Sequence, residues 1–124
     1  MSAAPVLNPA TVQELVDSLD AEFAVQLIDT FLTDSPDLVS DIHDGLRDGD
    51  VERVRRAAHT LKSHSWTFGL EQLAPLCQDL ENLAAAGRLT DADPLAHRVD
   101  IAYPPARDAL EAARADLSRG LPSA

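Results

Sequence analysis

Residues 58–69 read Ala-His-Thr-Leu-Lys-Ser-His-Ser-Trp-Thr-Phe-Gly, and they put a histidine on the polar side of a predicted helix. At about 100° per residue from His59, Val54, Ala57, Leu61 and Phe68 fall within about 20 to 40° of the opposite pole, forming an apolar stripe. Arg55, Ser63 and Trp66 lie within about 40° of His59, and Arg56 and Lys62 within about 60°. Imidazole is a nucleophile usable near neutral pH, and cations stabilise an anion placed beside it. The chemistry this face suggests is covalent handling of an anionic group.

The charge distribution sharpens that picture. The chain of 124 residues has a formal net charge of −11. Residues 1–50 hold eleven Asp and Glu against Arg47 alone, whereas residues 51–70 hold Arg53, Arg55, Arg56 and Lys62 against Glu52 alone. His59 therefore sits in a small positive island on an acidic body. So acidic a chain argues against nonspecific binding to nucleic acid or to an anionic membrane, both of which need positive surface.

Metal chemistry is a poor fit. His59 and His64 lie about 140° apart on the wheel, and no Cys, His, Asp or Glu spacing supplies three convincing ligands, so no metal or intrinsic cofactor is expected. A phosphate-binding loop, a nucleotide-binding glycine pattern and a serine elbow are also absent. His64 falls on the flank of the apolar side and reads as structural, and neither His43 nor His97 has a reactive setting. Cys77 lies on a core stripe and reads as a small buried hydrophobe. With a lone cysteine, no secretory leader and no long apolar run, the expected location is cytoplasmic.

These residues must be positioned by helices. Hydrophobic residues make up 45% and aromatics only 4% of the chain, and Ala and Leu abound, which favours packed helices over a sheet. The length suits one domain, and the division expected is an N-terminal tail over residues 1–10, a single domain over 11–119 and a C-terminal tail over 120–124. Thr11 and Glu14 form a capping-box pattern that predicts a short helix to about residue 19. Asp20 caps a second, with Phe23, Leu27, Ile28, Phe31 and Leu32 at helical spacing, ending near Thr33 and Asp34.

Ser35-Pro36-Asp37 reads as a restart, with Ser capping, Pro in the first turn and Asp at the positive end. The helix that follows carries Leu38, Ile42 and Leu46 and stops at Gly49. Asp50 caps the histidine helix over residues 51–67, and Gly69 suits a left-handed exit. A fifth helix spans roughly residues 70–86, starting late enough for Pro75 to fall near its first turn. A sixth segment begins near Thr90 or Asp91, and at Pro104-Pro105 either one helix kinks or two meet before helicity resumes to about Arg119. The expected class is all-α, an antiparallel four-helix bundle with an additional short N-terminal helix or helices.

The motif Ala58-His59, Leu61-Lys62, Ser65 and Phe68-Gly69, followed by Leu73, Leu76, Cys77, Leu80 and Glu81, resembles the histidine-containing phosphotransfer domain family. The resemblance extends with decreasing specificity over about residues 12–117. It implies a phosphorelay intermediate in which His59 accepts a phosphoryl group and passes it to or from an aspartate of a response-regulator receiver domain, with a sensor histidine kinase as a further partner. It implies Glu81 as the carboxylate that orients the imidazole, a choice that helical periodicity leaves open between Glu81 and Asp79. Lys62 would approach the phosphoryl oxygens, while Arg55 and Arg56 would attract the receiver's acidic pocket.

Two positions depart from the family. Ser63 stands where glycine is usual and Trp66 where a smaller residue is usual, so both bear on docking. Trp66 reads either as an interface anchor or as packing on the short N-terminal helix. Magnesium, by this resemblance, belongs to the receiver, and the chain, without an ATP site, would not phosphorylate itself. A monomer is expected. The competing reading is a noncatalytic bundle of the same shape that binds and regulates a receiver or a kinase.

Overall fold

A computed structural model describes residues 4–120. It comprises α1 (Pro9–Ser18), α2 (Ala21–Asp48), α3 (Val51–Thr67), α4 (Leu73–Ala85), a single 3-10 turn (Leu89–Asp91) and α5 (Asp93–Arg119), with no strand among the described residues. Helices α2 to α5 form the expected antiparallel bundle, in which α3 lies between α2 and α4 and α5 closes the ring against α2 and α4. Phe31, Ile28, Ile42, Leu61, Leu73, Leu80, Val99 and Leu110 are fully buried between them. Phe31 meets Phe68 edge-on, with ring centroids 5.7 Å apart.

The histidine helix forms where its sequence places it. The Asp50 side chain accepts from the Arg53 amide at 3.1 Å, closing the N-terminus, and Gly49 takes φ +66° in the turn before it. Gly45, one turn earlier, lets α2 approach α3, since a Cβ there would lie 2.7 Å from Val54 Cγ2.

Helix α2 corrects the restart expected at Ser35-Pro36-Asp37. It runs unbroken for 28 residues with Pro36 inside. Ile28, Phe31, Ser35, Ile42 and Gly45 make one buried face through the whole length, so tertiary packing overrides a local signal that also suits a helix start. Pro36 lies on the exposed side, while the Ser35 hydroxyl is buried and 2.6 Å from the Tyr103 hydroxyl of α5. Phe23, expected on the apolar stripe, is exposed, while its neighbours Ala24 and Val25 are buried and carry the inward face at this end of α2.

At Pro104-Pro105 the open choice resolves as one helix. Tyr103, immediately before these prolines, makes the bond to Ser35, so the proline positions of α2 and α5 stand beside the same cross-helix contact. In α4, Pro75 falls in the first turn, where its missing donor costs little.

The N-terminal lead-in is not a free tail. Helix α1 starts at Pro9 rather than Thr11, because Asn8 caps it by accepting from the Ala10 amide and Pro suits the first helical position. Val6 and Leu7 pack against the core, and the Asn8 amide donates to the Gly69 carbonyl at 2.8 Å. The Asn8 side chain reaches Glu71, and the Gln72 side chain donates to the Ala4 carbonyl. Gly69, at φ +70°, is so closely covered that a Cβ would stand 2.7 Å from Thr11 Oγ1. The segment is thus a strap over the α3–α4 turn, and that turn sets the register between the two helices. Of the expected C-terminal tail, residues 121–124 lie outside the described residues.

Candidate functional site

Helix α3 buries Val54, Ala57, Ala58, Leu61 and Ser65. This face pins the helix against α2 and α4, and the opposite one carries His59. The Ser65 hydroxyl, buried with the apolar side chains, bonds back to the Leu61 carbonyl at 2.6 Å. Serine at that place is a satisfied core residue.

The His59 side chain is 54% exposed, and its Nδ1 lies 2.7 Å from Glu81 Oε2 of α4. Asp79 is exposed on the same helix and makes no such bond, so the register of α4 selects Glu81. The other oxygen of the same carboxylate, Oε1, lies 2.6 Å from Lys62 Nζ. The Lys62 bond, followed by the hydrogen bond and charge of His59, holds the Glu81 carboxyl below its usual range against the opposing effect of burial. An ionised carboxylate only accepts, so Nδ1 carries the hydrogen. In the neutral ring this leaves the lone pair on Nε2, away from Glu81.

Lys62 is thus paired with Glu81 where no phosphoryl group is present. Its side chain is 17% exposed and that of Glu81 16%, so the two ends of this ion pair are largely withdrawn from water. Sequence spacing placed Lys62 near His59 but held no signal for the partner that engages it.

The surrounding cations divide. Arg55 pairs with Glu52 within its own helix, and that hydrogen bond, with the charges of Glu52 and Glu81, raises its pKa further. Arg56 is exposed and lines a shallow groove between α2 and α3 with Leu38, Asp41 and Thr60. Arg53 is tied to Asp41 at 2.9 Å and to Asp44 at 3.4 Å, bracing α2 against α3. Ser63 and Trp66 are both exposed, Trp66 by 49%. Trp66 thus keeps about half of its surface open on the face that carries His59.

The other candidate nucleophiles are structural. His64 sits edge-on to Phe31, ring centroids 6.4 Å apart. Cys77 is buried, and burial pushes its thiol up to about 12. His43, for which the sequence offered no setting, bonds through Nε2 to Asp100 at 2.7 Å and links α2 to α5. Among the described residues no three His, Cys, Asp or Glu side chains gather as a metal site, and no helix is long and apolar enough to cross a membrane.

Comparison with known proteins agrees with this geometry. The Hpt domain family model matches residues 26–119. The crystal structure of histidine-containing phosphotransfer protein B (HptB) from Pseudomonas aeruginosa PAO1 is similar with a TM-score of 0.83 and 28% sequence identity, over 92% of this chain and 98% of that one. None of the curated proteins matches the chain. Histidine-containing phosphotransfer proteins work with receiver domains and kinases. With a family match over most of its length and an all-helical fold shared with such a protein, the chain belongs to the Hpt domain family and is a histidine phosphotransfer intermediate of two-component signalling.

Proposed function

We propose that His59 is the phosphoacceptor, exchanging its phosphoryl group with the aspartate of a response-regulator receiver domain. The observation that carries this reading is an exposed imidazole whose Nδ1 is engaged by Glu81 at 2.7 Å, leaving Nε2 to face a partner. The Nε2 lone pair forms the N–P bond as the acyl-phosphate P–O bond breaks, and that electron pair returns to the receiver's carboxylate. The proton stays on Nδ1. The ring gains positive charge in this step, and the Glu81 carboxylate offsets it where it develops. The reverse sequence returns the group to an aspartate without any further acid or base.

Magnesium would come with the receiver, whose acidic pocket would hold it and supply positive charge for the phosphoryl oxygens. A sensor histidine kinase is the second partner class. Arg55, Arg56, Ser63 and Trp66 surround His59 as the docking surface, with Trp66 as its apolar anchor and the arginines favouring encounter with an acidic pocket. Ser63 lies one turn beyond His59 and sets clearance for the partner. The protein acts as a cytoplasmic monomer.

Incubating the chain with a phosphorylated receiver tests this reading. Radiolabel is expected on His59 and absent from His59→Gln. Receiver binding that is unchanged in His59→Gln, with no phosphohistidine formed by the parent, supports instead a noncatalytic binding bundle.

A further inference from the structure

All but two of the ten lysines and arginines lie within ion-pair distance of a carboxylate among the described residues. The two are Arg56, already placed beside His59, and Arg98 of α5. Arg98 is exposed and lines a groove between α4 and α5 whose α4 side carries Glu71, just before that helix, and Asp79 within it. It pairs with neither. In a chain with 21 acidic residues, an arginine that shares a groove with two carboxylates and engages none is a cation held open at the surface.

The same groove exposes the chain's barest large apolar side chain. Ile101, one turn beyond Arg98, is 63% exposed, against 49% for Trp66 and 45% for Leu19 and Phe23. Pro75 and Leu76 of α4 and Ala102 and Pro105 of α5 line the groove around it. Arg98, Ile101, Ala102 and Pro105 recur at i, i+3, i+4 and i+7, so they share one face of α5 over about two turns, or about 10 Å. Arginine is enriched where interfaces carry binding energy, and an apolar groove between two helices takes the apolar face of a third.

This surface stands apart from the histidine. At about 100° per residue from Glu81, Gln72, Pro75 and Asp79 fall about 120 to 180° round α4, so the groove opens on the side of α4 away from the carboxylate that meets His59. A partner seated over His59 therefore leaves Arg98 and Ile101 uncovered.

We infer that the α4–α5 groove is a second docking surface, and that its occupant is an amphipathic helix of a partner protein with carboxylates along one edge of its apolar stripe and lysines or arginines along the other. The stripe covers Ile101, Leu76 and Pro105, the acidic edge meets Arg98, and the basic edge meets Glu71 and Asp79. A helix with the same charge on both edges would set like charges together on one wall, which selects against it. The occupant can stay bound while His59 exchanges its phosphoryl group. Binding here needs no phosphoryl group, so the inference is independent of the chemistry at His59.

Three designed peptides of about five helical turns, sharing one leucine stripe, test this. The first has Glu on one edge and Lys on the other, the second Lys on both and the third Glu on both. Titrations at physiological salt, where long-range attraction to the acidic body is screened, are followed by 15N–1H correlation spectra. The mixed-edge peptide is expected to shift the amides around Leu76, Arg98 and Ile101, to leave those around Ser63 and Trp66 in place, and to bind roughly tenfold more tightly than the other two. In Arg98→Glu the preference should pass to the peptide with Lys on both edges, and Ile101→Asp should weaken the mixed-edge peptide roughly tenfold. Both substitutions are at exposed positions, so phosphoryl uptake from a phosphorylated receiver should match the parent, with or without saturating mixed-edge peptide.

No amide shifts at millimolar peptide, shifts centred on Trp66, equal affinity for all three peptides, or uptake blocked by the bound peptide each overturns the inference. A parent protein that takes up no phosphoryl group counts against the reading of His59 alone, and the titrations then decide the groove.

Discussion

His59 of α3 and Glu81 of α4 meet at 2.7 Å across the helix interface, with the imidazole exposed and the carboxylate largely covered. On the proposed function the exposed partner is the one that reaches another protein, and the covered one is held by Lys62. This division of exposure makes the pair usable, because a mobile carboxylate would leave the ring's tautomer to solvent.

Glu81 ties stability to pH in a defined direction. Its folded-state pKa is depressed, first by the Lys62 hydrogen bond, so its contribution is fully present above the ordinary glutamate value of about 4.3 and is lost as pH falls through the lower folded-state value. Urea denaturation of the parent and Glu81→Gln should give a larger stability difference at neutral pH than at about pH 3, beyond the ordinary carboxylate range. A difference that stays constant across this window would contradict the assignment.

Trp66 is exposed and makes little of the fold, so its contribution should appear in binding. Trp66→Ala is expected to leave folding stability within about 0.5 kcal/mol of the parent. Receiver affinity, read by titration calorimetry, should fall by on the order of 2 kcal/mol, the scale of an aromatic anchor. Unchanged affinity would remove Trp66 from the docking surface.

The Ser35–Tyr103 bond joins the proline positions of α2 and α5, and both hydroxyls lie in buried residues. Tyr103→Phe removes one partner and leaves the Ser35 hydroxyl to be satisfied within its own helix. The expected loss is about 1 to 2 kcal/mol in chemical denaturation, with phosphoryl uptake retained.

Cys77 should be inert in the folded protein. Burial raises its thiol to about 12, so little thiolate is present at pH 8 and the sulfur is covered. Iodoacetamide is expected to label it only when denaturant is added. Prompt labelling of the native protein would contradict its place in the core.

Much of the site was legible in the sequence, and the limits of that legibility have physical causes. Periodicity within α3 placed His59 opposite Val54, Ala57 and Leu61, and the Asp50 cap and Gly69 marked the helix ends, because caps and stripes are local properties. Periodicity could not decide between Asp79 and Glu81. That choice depends on the register of α4 against α3, which the Gly69 turn and the strap through Asn8 help to set. The engagement of Lys62 by Glu81 was hidden for the same reason.

The Ser35-Pro36-Asp37 reading failed differently. Those residue types suit a helix start, and the contact that holds Ser35 on the buried face of one continuous helix lies 68 residues away at Tyr103. The lead-in misled in the same manner, since a short segment with two prolines looks like a tail until its contacts with Gly69 and Gln72 are known.

The most direct test of the whole account is site mapping of the phosphoryl group after incubation with a phosphorylated receiver and magnesium. An acid-labile, alkali-stable label is expected on Nε2 of His59, lost in His59→Gln and slowed in Glu81→Gln on the order of 10²-fold, as when a charge stabilising the transition state is removed. A label on Nδ1, a label that persists in His59→Gln, or no label from any receiver encoded in the same cell would contradict it.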